Sequence, residues 1–221
     1  MDFLDELNSR VLCGDGAMGT ELMASGVPMD LCFEELNVSA PDFVSRIHDS
    51  YVGAGARLIE TNTFGANASR LAKHGLESRV KEFNQAAIRL ARKSIGAGSV
   101  YLAASIGPLG IPDPEAELQE IDRTNIFREQ IEAILEENVD VLYLETFMDF
   151  REIQIALTAA RTLDKRIPII CSMVCSEEGR LPSSLPIVQA FRELIRLGAN
   201  VVGVNCVTGP HAMLHIYAVF R

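Results

Sequence analysis

One thiol stands out by its setting. Ala199 to Cys206 reads as a buried strand that ends in an amide, Asn205, and a sulfur, Cys206. The carboxyl ends of strands are where α/β folds place their chemistry. Other strand-like segments also end in polar residues: Asp15, Thr61-Asn62-Thr63, Ser105, Glu145-Thr146 and Ser172. If their strands share one sheet, two carboxylates, several hydroxyls, amides and a thiol converge. That set suits a small zwitterion. Carboxylates take an α-ammonium group, and the backbone N–H groups of the glycine-rich turn from Gly14 to Gly19 take an α-carboxylate. No Lys ends a strand, so Schiff-base chemistry has no candidate. No His does either, which disfavours a His-based acid–base site. A single thiolate does not hold zinc, which takes at least three protein ligands.

Each residue has a plainer reading as well. Asp15 also suits the ordering of its own glycine turn. Thr61 to Thr63 also suit ordinary capping of a strand end. Cys206 also suits a small buried hydrophobe, the common fate of a free cysteine. Glu145 is harder to dismiss, because a buried carboxylate without a partner is costly. An acid–base pair of Asp15 and Glu145 in some unrelated barrel is a further alternative.

The elements that must position these residues alternate. Strand-like runs cover 11–15, 57–61, 100–105, 141–144, 168–172 and 201–205. Helical periodicity covers 41–53, 67–95 with a break near His74-Gly75, 122–138, 149–163, 186–197 and 211–220. Strands alternating with helices pair in parallel through right-handed crossovers. The strands are apolar throughout, as in a sheet buried on both faces. Six strand–helix units are fewer than a closed eightfold barrel needs, which is roughly 250 residues. The segment 107–120 reads as a long loop over one end of the sheet. A doubly wound sheet is the other architecture. Gly14-Asp15-Gly16-Ala17-Met18-Gly19 does match the dinucleotide-binding pattern. The acid between its first two glycines would repel a pyrophosphate, and only Glu60 could serve as the ribose-binding acid.

The chain has 221 residues and a formal net charge of -10. That disfavours nucleic acids and anionic membranes as partners. No apolar run reaches the length of a membrane span, and the acidic start resembles no leader peptide. A cytoplasmic protein is expected. Five cysteines without framework spacing are expected to be reduced, with Cys171 and Cys175 filling core or loop.

The same residues carry a family resemblance. Gly14 to Glu21, Glu34-Glu35-Leu36-Asn37, Glu60 to Asn67, Ser105-Ile106-Gly107-Pro108, Glu145-Thr146-Phe147 and Gly203-Val204-Asn205-Cys206 occur in this order. Together they resemble the homocysteine S-methyltransferase family. The likeness is greatest to the homocysteine-binding module of cobalamin-dependent methionine synthases and of fusions with methylenetetrahydrofolate reductase. The resemblance implies a (β/α)8 TIM-type barrel, here truncated after about six βα units, over one domain spanning 1–221. It implies transfer of a methyl group to homocysteine, giving methionine, with the thiolate activated by zinc. Cys206 matches one of three cysteine ligands, and the adjacent pair falls in a stretch this chain lacks. Asp15 and Glu145 would bind the amino group, the backbone of Ala17, Met18, Gly19 and Thr20 would receive the carboxylate, and Asn205 would lie beside the metal ligand. The donor, methylcobalamin or methyltetrahydrofolate, would arrive on another domain or protein.

Two loops depart from the family. Leu181-Pro182-Ser183-Ser184-Leu185-Pro186 stands where Thr and Gly residues are usual, and the loop after Gly107-Pro108, though long, is shortened relative to the family's. The last segment, His211-Ala212-Met213-Leu214-His215, starts like the family's next helix and then ends, so a truncated chain is expected, with a non-catalytic remnant as the rival reading. A local site of Cys206, His211 and His215 is the less favoured metal alternative, since H-x-x-x-H here lacks a metalloprotease glutamate.

Overall fold

A computed structural model describes residues 2–96, 98–110, 119–206 and 209–219. Five parallel strands form one sheet in sequential order: β1 (Leu58–Glu60), β2 (Tyr101–Ile106), β3 (Val141–Phe147), β4 (Ile169–Met173) and β5 (Val201–Val204). Helices α1 (Phe3–Ser9), α2 (Met18–Ala24), α3 (Leu36–Ser39), α4 (Pro41–Gly53), α5 (Ala68–Leu71), α6 (Val80–Ile95), α7 (Glu120–Leu135), α8 (Phe150–Leu163), α9 (Ile187–Arg196) and α10 (Pro210–Val219) complete the order. Every strand neighbours the next in sequence, as in a TIM-type barrel. Among the described residues the sheet remains open.

The expected first strand is reduced to a single parallel bridge, Gly14 with Leu58. Its backbone still runs along β1, with Arg57 N–H donating to the Cys13 carbonyl at 2.7 Å and Asp15 N–H to Leu58 at 3.0 Å. Val11, expected to be buried, is 94% exposed. The expected 67–95 helix is α5 and α6, separated by two 3₁₀ turns around a left-handed Gly75. Three short helices, α1 to α3, escape the periodicity, being only four to seven residues long. Within the expected 107–120 loop, residues 111–118 lie outside the described residues.

The sheet's two faces differ in chemistry. Outward residues Ile59, Leu102, Ala104, Leu142, Leu144, Ile169 and Cys171 join the main core with Phe127, Ile131 and Ile134 of α7 and Ile153 and Leu157 of α8. Inward residues Leu58, Ala103, Val141 and Ile170 form a second core with Phe3 of α1. So the strands are not uniformly apolar. Their inner face is apolar at the amino ends and turns polar at the carboxyl ends, with Glu60, Ser105, Tyr143, Glu145 and Ser172 following at alternate positions.

Helix α1 plugs the amino end of this interior. Asp2 caps it by accepting from Leu4 N–H at 3.1 Å. The Phe3 ring meets Tyr101 edge-on at 5.2 Å. Glu6 accepts from Tyr101 Oη at 2.7 Å, Arg57 at 3.1 Å and Arg10 Nε at 3.0 Å. The amino end of the interior is thus filled by α1, and the polar groups are left at the carboxyl ends of the strands.

Candidate active site at the carboxyl ends of the strands

Three carboxyl groups meet at the open end of the interior. Asp15 is held by Glu60 N–H, which donates to its Oδ2 at 2.8 Å. Its other oxygen, Oδ1, is buried with no hydrogen-bond partner among the described residues. Glu60, at the end of β1, lies close enough to Glu145 of β3 to feel its charge. Burial, aided by Glu145, pushes the Asp15 carboxyl up to about 7. Burial first, then the charges of Glu145 and Asp15, hold Glu60 well above the usual carboxylate range. Among the described residues, no Lys or Arg offsets either group. Like charges brought out of water raise one another's pKa. The arrangement is short of one positive charge.

Glu145 is oriented from several sides. Ser105 Oγ donates to its Oε1. Asn205 Nδ2 donates to its Oε2 at 2.9 Å, and Thr146 Oγ1 lies 3.3 Å from the same oxygen. Ser105 is itself positioned from β1: its N–H donates to Thr61 Oγ1 at 3.2 Å, and its carbonyl accepts from Thr63 Oγ1 at 2.6 Å. Gln130 of α7 then donates to the Thr63 carbonyl at 2.9 Å. Thr61 to Thr63 thus do more than cap a strand, since they set the hydroxyl that holds Glu145.

A β-bulge delivers Glu145. The pairing of β3 with β4 shifts register between Leu144 and Phe147. Leu144 pairs with Cys171 and Phe147 with Met173, so β3 spends one residue more than β4 over this span. Bulges of this kind re-aim side chains beside functional sites. Thr146 takes a left-handed backbone, φ 61°, which is unusual for a β-branched residue. Asn205 fixes it: Asn205 Oδ1 accepts from Thr146 N–H at 3.0 Å, and Nδ2 donates to Thr146 Oγ1 at 2.9 Å.

Cys206 follows directly. It too is left-handed, φ 52°, and its side chain is exposed, with Thr146 Oγ1 3.6 Å from its sulfur. The reading of Cys206 as a buried hydrophobe therefore fails. Cys171 and Cys175 are the buried ones. Tyr143, one inward step below Glu145, hydrogen-bonds Ser172 at 3.0 Å and is raised by burial and by Glu60.

The glycine-rich turn forms the remaining wall. Met18 and Gly19 are half-buried, and Ala17 and Thr20 are exposed. Tyr51 Oη donates to the Ala17 carbonyl at 3.2 Å, and a Cβ at Gly16 would stand 2.7 Å from that hydroxyl. A larger residue there would have to displace the Tyr51 ring. The divergent 181–186 loop closes on itself, with Leu181 N–H donating to Leu185 at 2.9 Å and an antiparallel bridge from Arg180 to Pro186.

The structure thus brings Asp15, Glu145, Asn205 and Cys206 to one mouth. Glu60 and Thr146 belong with them, and strand-end chemistry alone does not single out either for this role. For Glu60 a signal exists: Leu58 and Glu60 share strand parity, so an inward Leu58 implies an inward Glu60. Among the described residues no three His, Cys, Asp or Glu side chains are placed to hold a metal ion. His215 is exposed on α10, and the His211 side chain lies outside the described residues. One thiol does not complete a zinc site, so the described residues do not by themselves fit that metal.

Comparison with known proteins gives the family and the fold. The homocysteine S-methyltransferase family model matches residues 12–221. A Mycobacterium tuberculosis methionine synthase is 30% identical over 96% of this chain and 19% of its own length. The S-methylmethionine–homocysteine S-methyltransferase BHMT2 of Pongo abelii is 32% identical over 96% of this chain and 56% of its own. The chain therefore spans less than two thirds of either relative. The crystal structure of the metallated homocysteine methyltransferase MmuM from Escherichia coli superposes with a TM-score of 0.83 at 26% identity. That superposition covers 96% of this chain and 80% of that one.

Proposed function

The chain belongs to the homocysteine S-methyltransferase family, and we propose that its barrel mouth binds homocysteine as the acceptor of a methyl group, giving methionine. The observation that carries this reading is the group of Asp15, Glu60 and Glu145, half-buried at one mouth with no Lys or Arg offsetting Asp15 or Glu60 among the described residues. An α-ammonium supplies the missing charge. Asp15 and Glu145 bind it, with Glu60 bridging the two. The backbone from Ala17 to Thr20 receives the α-carboxylate. The ligand's sulfur then points toward Asn205 and Cys206 on the β5 side.

Relatives are named for methionine synthesis, S-methylmethionine and betaine. Their names differ in the donor and converge on homocysteine or methionine, which favours assigning this mouth to the acceptor. The donor, a corrinoid or methyltetrahydrofolate in our reading, comes on another domain or protein. Zinc would supply thiolate character to the acceptor sulfur, because coordination strips a thiol proton at neutral pH. Cys206 would be one ligand of such an ion. The chain's own residues at the mouth bind the amino acid, orient it and exclude water. The reading places the protein in the cytoplasm, in keeping with five free cysteines. Among the described residues no helix is long and apolar enough to cross a membrane.

Calorimetric titration with homocysteine tests the assignment. Glu145→Gln removes a charge-assisted hydrogen bond, worth about 1.5–3 kcal/mol, or roughly 10- to 150-fold in affinity. An affinity unchanged by the substitution would remove Glu145 from the site.

A further inference from the structure

Thr146 occupies a position that neither its propensity nor its packing explains. It is a β-branched residue in the left-handed region, φ 61°. Such a conformation persists only when its surroundings over-determine it, and it clusters at functional sites. The surroundings here are the two halves of the proposed site. Thr146 Oγ1 lies 3.3 Å from Glu145 Oε2 and 3.6 Å from Cys206 Sγ, and it accepts from Asn205 Nδ2 at 2.9 Å. Its backbone N–H is committed to Asn205 Oδ1 at 3.0 Å.

A hydroxyl has one proton to donate. Asn205 Nδ2 is itself a donor, so that contact uses a lone pair of Thr146. The proton is left with two candidate acceptors, a carboxylate oxygen on one side and a sulfur on the other. With Glu145 unoccupied by a cation, the carboxylate is the stronger acceptor. An ammonium group docked on Glu145 draws on the same carboxylate and weakens its pull on the hydroxyl, which shifts the balance toward the sulfur.

We propose that Thr146 is a positioning residue that links the amino-group subsite to the sulfur subsite, its hydroxyl turning from Glu145 toward Cys206 when an amino acid binds. The link deepens the homocysteine reading and rests on it. The two other polar neighbours cannot replace it. Ser105 donates to the far oxygen of Glu145, Oε1, and Asn205 spends both side-chain ends on Glu145 and Thr146.

The test uses L-2-aminobutyrate, which is homocysteine without its sulfur. It fills the amino and carboxylate subsites without introducing a competing thiol. The rate of Cys206 alkylation by iodoacetamide is followed by peptide mass spectrometry, with exposed Cys13 as internal reference, and binding is measured separately by calorimetry. In wild type and in Thr146→Ser, which keeps the hydroxyl, saturating ligand should speed Cys206 alkylation at neutral pH about twofold or more, because a hydrogen bond donated to the sulfur favours the reactive thiolate more than it blunts its attack. In Thr146→Val, which keeps the branched shape, ligand raised to a concentration that saturates this variant should not speed the Cys206 reaction. An equal change in all three proteins, slowing by simple shielding included, would overturn the link. Loss of binding in Thr146→Val alone would make Thr146 a partner of Glu145 only, which also overturns it. Absence of binding to wild type would defeat the homocysteine reading itself, a result distinct from either.

Discussion

The Asp15 carboxyl offers a quantitative test, because its environment opposes its charge. In the unfolded chain it titrates near 3.8, and in the fold it is pushed up to about 7, first by burial and then by Glu145. Between those values the folded protein holds a proton that the unfolded chain has released. Stability from this group is therefore complete below pH 4 and is lost as pH rises through 7. A separation of about three units corresponds to on the order of 4 kcal/mol. Asp15→Asn removes the titration yet leaves an oxygen to accept from Glu60 N–H. Urea unfolding of both proteins from pH 4.5 to 8 should give a difference, variant minus wild type, that grows in the variant's favour by a few kcal/mol across the range. The difference is the quantity to read, since buried His48 contributes the opposite slope over part of the same window. An amino-acid ligand should have a matching effect. Its ammonium lowers the Asp15 pKa, so binding near pH 7 should release protons, visible as a dependence of calorimetric enthalpy on buffer ionisation enthalpy. Parallel stability curves for the two proteins, together with buffer-independent binding, would show that Asp15 is not a buried acid awaiting a cation.

Two further outcomes are expected. His48 of α4 is fully buried, neither ring nitrogen has a partner among the described residues, and burial pushes it down to about 4. Wild type should lose stability as pH falls from 6.5 toward 4, because only the unfolded chain takes up that proton. His48→Leu should abolish this acid limb and raise the unfolding free energy at neutral pH by roughly 1 kcal/mol for a relieved polar group; a lower unfolding free energy with the acid limb intact would contradict the burial argument. For metal, one thiol at the mouth and no three-ligand cluster among the described residues lead us to expect clearly less than one zinc per chain after dialysis, measured by elemental analysis. Stoichiometric zinc that disappears in Cys206→Ser would refute that expectation and reveal ligands outside the described set.

Much of this site was legible in the sequence for a topological reason. Alternating strands and helices pair in parallel, and parallel strands bring all their carboxyl ends to one side. Asp15, Ser105, Glu145, Ser172, Asn205 and Cys206 could therefore be grouped without knowing a single distance. The sequential order β1 to β5 is that of the barrel implied by the family resemblance, whereas strand–helix alternation alone left a doubly wound sheet open. Local patterning could not reveal what depends on contacts between distant segments. The first strand shrinks to the Gly14–Leu58 bridge, since a strand exists only through its partners. The bulge at Glu145-Thr146 and the left-handed backbone of Thr146 and Cys206 run against intrinsic preference, and only Asn205, far along the chain, holds Thr146 there. The paired acids Glu60 and Glu145 are also remote in sequence, and each alone reads as an ordinary strand-end carboxylate. Sequence determines which groups can reach the mouth, because strand direction and parity are local properties. Tertiary structure decides how those groups are charged and aimed, because desolvation, shared protons and backbone strain arise only when segments remote in sequence are packed against one another.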